Sequence, residues 1–254
     1  MKQAISKRVL LAAVLLMVVA LVAVGCGDGA GNNEGDNNQN NPGNENNEQT
    51  TANQYQNGTF TGISTANRGY VEAQVTIEND EIVEVVLTEY ANTAVAKDEN
   101  YRYEPWEPAI AELEAAFVEN NSSEVDLITE ATSTSNKAME AVANALALAE
   151  GFDGSFDGTF MGASQPDDRG AVGIALVTVS GGDIVEVELS EVTGDGEFKD
   201  EDYTYDEFHE AVEEMPARFV EANGAEVDIF TGATGSSEKW MEAVAEALQK
   251  ANVQ

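Results

Sequence analysis

The chain has 254 residues, 47 Asp and Glu against 12 Lys and Arg, a formal net charge of −35, one cysteine and one histidine. So acidic a protein has no basic surface to replace phosphate counterions, which excludes nucleic-acid binding, and its domains will not dock on anionic lipid headgroups. The lone cysteine and histidine rule out zinc sites of the Cys/His type and leave any serine triad only His209, which sits in a polar stretch and reads as a surface residue.

At the N-terminus, Lys2, Lys7 and Arg8 precede an unbroken apolar run from Val9 to Val24. The run is shorter than the ~20 residues of a comfortable bilayer span and suits the core of a signal peptide. It ends in Ala23-Val24-Gly25-Cys26, which resembles the bacterial lipobox, although leucine is commoner where Ala23 stands. The resemblance implies that Cys26 is the lipidated first residue of a mature protein anchored on the extracytoplasmic face of the cell membrane. An ordinary signal peptide, or a retained anchor with Cys26 incidental, is the other reading. Residues 1–26 are thus a leader, and as Cys26 is the single cysteine no internal disulfide supports the folded part. The leader carries three basic and no acidic residues, so the remaining 228 residues hold nine Lys and Arg and a charge of −38.

Residues 27–56 are Asn, Gly, Gln, Asp and Glu with almost nothing apolar. Burial there cannot offset conformational entropy, so the segment is predicted to be a disordered stalk with an end-to-end distance of ~30 Å. The membrane is then reached through the lipid anchor only.

An internal repeat organises the rest. Asn57-Gly58-Thr59-Phe60-Thr61-Gly62 returns as Asp157-Gly158-Thr159-Phe160-Met161-Gly162, and Lys97-Asp98-Glu99 as Lys199-Asp200-Glu201. Phe117-Val118-Glu119 returns as Phe219-Val220-Glu221, and Met139-Glu140-Ala141-Val142 as Met241-Glu242-Ala243-Val244. The offset drifts only from 100 to 102, so the chain holds two homologous domains, 57–151 and 152–254. In each, a period-two stretch (Val71, Ala73, Val75, Ile77) turns through Glu78-Asn79-Asp80, or through Gly181-Gly182, into a β-branched run, Ile82 to Leu87 or Ile184 to Leu189. That pattern predicts a hairpin. Two helices should follow: one over Pro108 to Glu119, and one carrying Ala138, Met139, Val142 and Leu146, or Trp240, Met241, Val244 and Leu248. Strands first and helices later predict an α+β fold, two tandem repeats of a small antiparallel sheet packed by helices.

No stretch has the spacing of an EF-hand, and the acidic run Asp195 to Asp206 reads as a solvated loop. The segment with chemical promise precedes the last helix: Asp228-Ile229-Phe230-Thr231-Gly232-Ala233-Thr234, then Gly235-Ser236-Ser237. Thr234 offers a hydroxyl where unpaired N–H groups and the helix dipole favour a phosphate, and Gly232 and Gly235 allow close approach. The bland alternative is that Ser236 or Ser237 caps the helix and the glycines merely shape a loop. On these residues alone the bland alternative is the stronger. The aromatics before the first helix, Tyr101, Tyr103 and Trp106, then Tyr203, Tyr205 and Phe208, are expected to be core packing, with ring stacking on a ligand the alternative.

The series Asp-x-x-Ser/Thr-Gly-Ala-Thr resembles the flavinylation motif of the FMN-binding domain family, found in sodium-pumping NADH:quinone oxidoreductases, Rnf-type complexes and flavin-bearing surface lipoproteins. Asp228, Thr231, Gly232, Ala233 and Thr234 match every specified position. The Gly-x-Phe-x-Gly openings at Gly58 and Gly158 and the alanine-rich last helix are similar to the family's pattern too. The resemblance implies FMN bound through a phosphoester to Thr234, attached by a flavin transferase. In the first repeat Asp126, Thr129, Ala131 and Thr132 match, but Glu130 replaces the glycine, which makes Thr132 a doubtful attachment point. A covalent bond would also remove the need for a basic phosphate pocket, which so acidic a chain is expected to lack. The family thus implies a redox carrier, not an enzyme with its own substrate: a mobile flavoprotein taking electrons from a membrane donor such as a quinone-linked dehydrogenase and passing them outward. Its rivals are a surface or solute-binding lipoprotein that keeps the fold without flavin, and an accessory subunit of a membrane complex.

Overall fold

The computed structural model describes residues 53–253. The predicted leader with Cys26, and all but the last four residues of the predicted stalk, lie outside them. Among the described residues no helix is long and apolar enough to cross a membrane.

Each repeat is a three-stranded antiparallel meander followed by two helices. The first repeat contains β1 (Gly58–Ile63), β2 (Tyr70–Glu78), β3 (Glu81–Tyr90), α1 (Trp106–Asn120) and α2 (Thr132–Ala149). The second contains β4 (Gly158–Ala163), β5 (Val172–Ser180), β6 (Asp183–Val192), α3 (Asp206–Ala222) and α4 (Thr234–Lys250). This is the α+β arrangement expected from strands that precede helices. The hairpin turns need two left-handed residues. Asn79 and Asp80 supply them in the first repeat, with φ of 54° and 67°, and Gly181 and Gly182 in the second, with 62° and 89°.

Period-two alternation decides which face of the sheet is covered. Val71, Ala73, Val75 and Ile77 of β2 are fully buried against Ala138, Ala141, Val142 and Ala145 of α2. Each large apolar side chain so buried is worth about 1.5–3 kcal/mol. Small residues let this helix lie very close to the edge strand: a Cβ on Gly62 would stand 2.1 Å from the Ala141 carbonyl oxygen, and one on Gly162 1.9 Å from that of Ala243. The second glycine of the Gly-x-Phe-x-Gly stretch is therefore a packing requirement of sheet on helix. The other helix packs on the far strand and ends at a left-handed asparagine, Asn121 or Asn223. The amide oxygens of these asparagines accept the N–H groups of Ile82 and Ile184, both at 2.7 Å, which ties the helix end to the start of β3 and β6.

The repeats pack together in one compact unit. Ile63 and Tyr70 of the first join the apolar core of the second. Tyr70 stacks on Tyr90 with ring centres 4.6 Å apart. Lys250, at the end of α4, donates to the Tyr70 hydroxyl and to the Met161 carbonyl, both at 2.8 Å.

Candidate functional site

A cleft of about 520 Å³ opens in the second repeat where the last strand, the loop after it, and the start of α4 converge. Thr234 is the first residue of α4; it is exposed and lines this cleft together with Gly232, Ala233 and Gly235. The helix has no side-chain cap, because the two serines are used elsewhere. Ser237 donates its hydroxyl to the Ala233 carbonyl and accepts the Phe230 N–H, while Ser236 donates to Glu191 at 2.7 Å. The serine-cap reading therefore fails, and the helix end keeps the anion-favouring character of unpaired N–H groups. Gly232 turns the chain with a φ of 95°, and its carbonyl accepts the Tyr205 hydroxyl at 2.6 Å. Asp228 and Thr231, the other motif residues, are exposed and outside the cleft lining; the Asp228 carbonyl accepts from Arg218 at 2.8 Å.

The floor of the cleft holds residues that sequence reasoning missed. Glu191, at the end of β6, is fully buried, with an exposure of 0%. Lys199 forms an ion pair with it, Lys239 of α4 donates to it at 2.9 Å, and Lys239 also donates to Asp167 at 2.7 Å. Burial pushes the Glu191 carboxyl up, but the hydrogen bonds from Lys199, Lys239 and Ser236 more than reverse this and hold it below the usual carboxylate value. Burial likewise opposes the charge of Lys239, yet Asp167 and Glu191 outweigh it and raise its pKa. The Lys239 hydrogen bond, with the backbone N–H of Ala171, holds Asp167 well below its ordinary value. The result is a closed charge network: two ammonium groups against two carboxylates.

The aromatic residues divide by role. Phe208 is buried, as expected of core packing, but Tyr203 and Tyr205 are exposed and form part of the cleft wall. The Lys199 ammonium lies over the rings of Tyr203 and Phe208, 4.5 and 5.1 Å from their centres. The acidic run Asp195 to Asp206 is thus a wall of the cleft as well as a solvated loop. His209 lies partly buried beside it, its Nε2 2.6 Å from the Tyr203 carbonyl oxygen.

The first repeat has the same construction around a cleft of about 540 Å³. Buried Glu89 pairs with Lys97 at 2.8 Å and accepts from Trp106 Nε1 at 2.8 Å and from the Thr134 hydroxyl at 2.9 Å. Lys137 stands 3.5 Å from the same carboxylate. Burial again pushes the Glu89 carboxyl up, and Lys97, Thr134 and Lys137 bring it below its ordinary value. Ala131 lines this cleft, while Thr132, although the first residue of α2, does not, and Asp126 and Thr129 are exposed outside it. Glu130 does not block the turn: it adopts a φ of 67°, and its carbonyl accepts the Tyr103 hydroxyl at 2.8 Å, as Gly232 accepts Tyr205.

The few cations of this acidic chain gather in the two clefts, although carboxylates accompany them there: Asp167, Glu191 and Asp195 in the second, Glu89 and Glu130 in the first. Arg68, Lys97 and Lys137 line the first cleft and Arg169, Lys199 and Lys239 the second, six of the nine Lys and Arg that follow residue 26. A signal for the floor residues exists in the strand pattern, since Glu89 is in phase with the inward Val85 and Leu87, and Glu191 with Val187 and Leu189.

A family model described as the FMN-binding domain matches this chain twice, over residues 68–147 and 170–249. No curated protein matches it. Among solved structures, the crystal structure of a protein from Clostridium perfringens is similar, with 26% identity over 38% of this chain and 88% of its own length, and a TM-score of 0.35.

Proposed function

Because the chain belongs to the FMN-binding domain family, with FMN as its cofactor, we propose that it is a lipid-anchored electron carrier holding FMN as a phosphoester on Thr234. The observation that carries this is the exposed Thr234 hydroxyl at the uncapped start of α4, in the same cleft as Lys199 and Lys239. The residues present fit the group. The cleft volume lies within the ~300–1,000 Å³ of small-molecule sites, and a Cβ at Gly235 would meet nothing within 4 Å, so the helix mouth has open space. Tyr203 and Tyr205 supply exposed aromatic surface.

Bound FMN supplies reversible electron uptake, and the protein supplies position, access and electrostatics. Thr234 holds the phosphate at the positive end of α4. The Lys199 and Lys239 ammonium groups offset the surrounding carboxylates within the cleft. Gly232, left-handed and with its carbonyl accepting the Tyr205 hydroxyl, shapes the turn that leads into Thr234.

Cys26 as a lipid anchor, the stalk at 27–56, a flavin transferase for maturation and a membrane donor such as a quinone-linked dehydrogenase complete the proposal. Support for the anchor is the apolar run that ends at the single cysteine. Coexpression with a flavin transferase, followed by intact-mass analysis, tests the central point. One added FMN on the peptide containing Thr234, lost in Thr234→Ala, is the expected result. Unmodified, colourless protein from its own cells would leave only the flavin-free surface lipoprotein.

A further inference from the structure

The charged side chains that line the second cleft balance: Arg169, Lys199 and Lys239 against Asp167, Glu191 and Asp195. Glu191 lies in the floor, fully buried, and is shared by Lys199 and Lys239. It returns as Glu89 in the first cleft, so it belongs to the architecture common to both repeats. Asp167 does not return: Asn67 takes its place on the first cleft's rim. One Asp167 carboxylate oxygen accepts the backbone N–H groups of Arg169 and Ala171, both at 2.9 Å, and the other accepts Lys239 at 2.7 Å. These bonds, that of Lys239 above all, hold the carboxyl ionised far below its ordinary pKa, although the side chain is 37% exposed. An asparagine amide oxygen could accept the same two backbone N–H groups. The turn by itself therefore does not require a charge, whereas Lys239 feels one.

We infer that Asp167 sets the reduction potential of the flavin in the second cleft, as the counter-charge that offsets Lys239. The inference rests on the Thr234 reading and names how that site is tuned. Reduction of the ring by two electrons, with one proton taken from solvent, leaves the group one negative charge richer. The electrons come from the membrane donor, or from dithionite in the test. Lys239 lines the same cleft and is only 9% exposed, so its charge acts there under weak solvent screening. Its ammonium favours the added negative charge, and Asp167, paired with it, offsets that effect and keeps the potential low. Glu207, beside Gly232, is exposed and screened by salt. One unit charge acting over ~10 Å at an effective dielectric of ~20 changes the ratio of reduced to oxidised flavin on the order of tenfold. For a two-electron couple that is about 30 mV.

The test is a redox titration of the full chain, coexpressed with the transferase and checked by intact mass for flavin on Thr234. Asp167→Asn removes the charge and keeps an acceptor for Arg169 and Ala171. At the wild-type midpoint its ratio of reduced to oxidised flavin should rise on the order of tenfold. Lys239→Gln should move the ratio the opposite way. Asp167→Glu, which keeps the charge, should stay within about twofold of wild type. Charge predicts opposite shifts from the two members of one ion pair, whereas a loosened cleft would move both the same way. A midpoint unmoved in Asp167→Asn, shifts of one sign in Asp167→Asn and Lys239→Gln, or equal shifts in Asp167→Asn and Asp167→Glu overturns the inference. If Lys239→Gln does not fold, the two Asp167 variants decide between them. Flavin on Thr234 with an unmoved midpoint sinks this inference alone, and a Thr234 peptide without flavin sinks the reading beneath it and this inference together.

Discussion

The two repeats have the same strands, the same helices and the same buried glutamate between two lysines, and they differ sharply at two small places. One is the turn before the last helix, Glu130 against Gly232; the other is the rim, Asn67 against Asp167. The turn has one geometry in both, with φ of 67° and 95° and a tyrosine hydroxyl on the same carbonyl. Backbone conformation there is set by the fold, and a glutamate accepts a left-handed angle that costs a side chain roughly 1–2 kcal/mol. What the substitution changes is the space and charge beside the first helical residue.

The sharpest way to break this comparison is to exchange the turn residue. Glu130→Gly should turn no covalent flavin on the first repeat into one, read as a second FMN mass on the peptide containing Thr132 when the transferase is coexpressed. A single adduct in that variant would show that the cleft's shape, with Thr132 outside it, decides attachment instead. Next in size is the floor. Glu191→Gln removes the carboxylate that pairs with Lys199 and one of the two that pair with Lys239, and should cost about 3 kcal/mol in urea unfolding, the scale for breaking a buried ion pair.

The reverse exchange, Gly232→Glu, should cost about 2 kcal/mol. It places a side chain at φ 95° with its Cβ 2.9 Å from Glu207 Cγ, where the first repeat has Pro105. An unfolding midpoint equal to that of the wild type would mean that the loop relaxes freely. The smallest effect is in acid. Glu89 and Glu191 are both held below their ordinary values in the folded protein, so the folded state binds fewer protons there than the unfolded chain. Their stabilisation is present above the usual carboxylate pKa near ~4.3 and is lost as pH falls through the depressed values. The stability gap between wild type and a Glu89→Gln, Glu191→Gln double variant should therefore shrink below about pH 4, by on the order of 1 kcal/mol per pH unit. A constant gap would mean that the two carboxylates do not titrate with folding.

Much of the fold was legible because it rests on local regularities. The alternation of Val71, Ala73, Val75 and Ile77, the Gly181-Gly182 turn and the spacing of Trp240, Val244 and Leu248 each record one element's buried face. The motif around Thr234 was legible for the same reason, as seven consecutive residues. The floor of the site was not. Glu89 was in phase with the inward Val85 and Leu87, but nothing local named its partners, and Lys97 and Lys199 served only as landmarks of the repeat. The helical lysines are equally mute in sequence, since Lys239 meets Glu191 across 48 positions. Composition misled as well: a strongly acidic average conceals six cations gathered in two clefts.

Taken alone, the sequence determined the duplication, the order of strands and helices, and the hydroxyl at the mouth of the last helix, because periodicity and short motifs are properties of neighbouring residues. Only the tertiary structure decided where the scarce positive charge collects and which lysine is fully paired. Those depend on which distant side chains are buried side by side, where low dielectric makes a partner, or the lack of one, count.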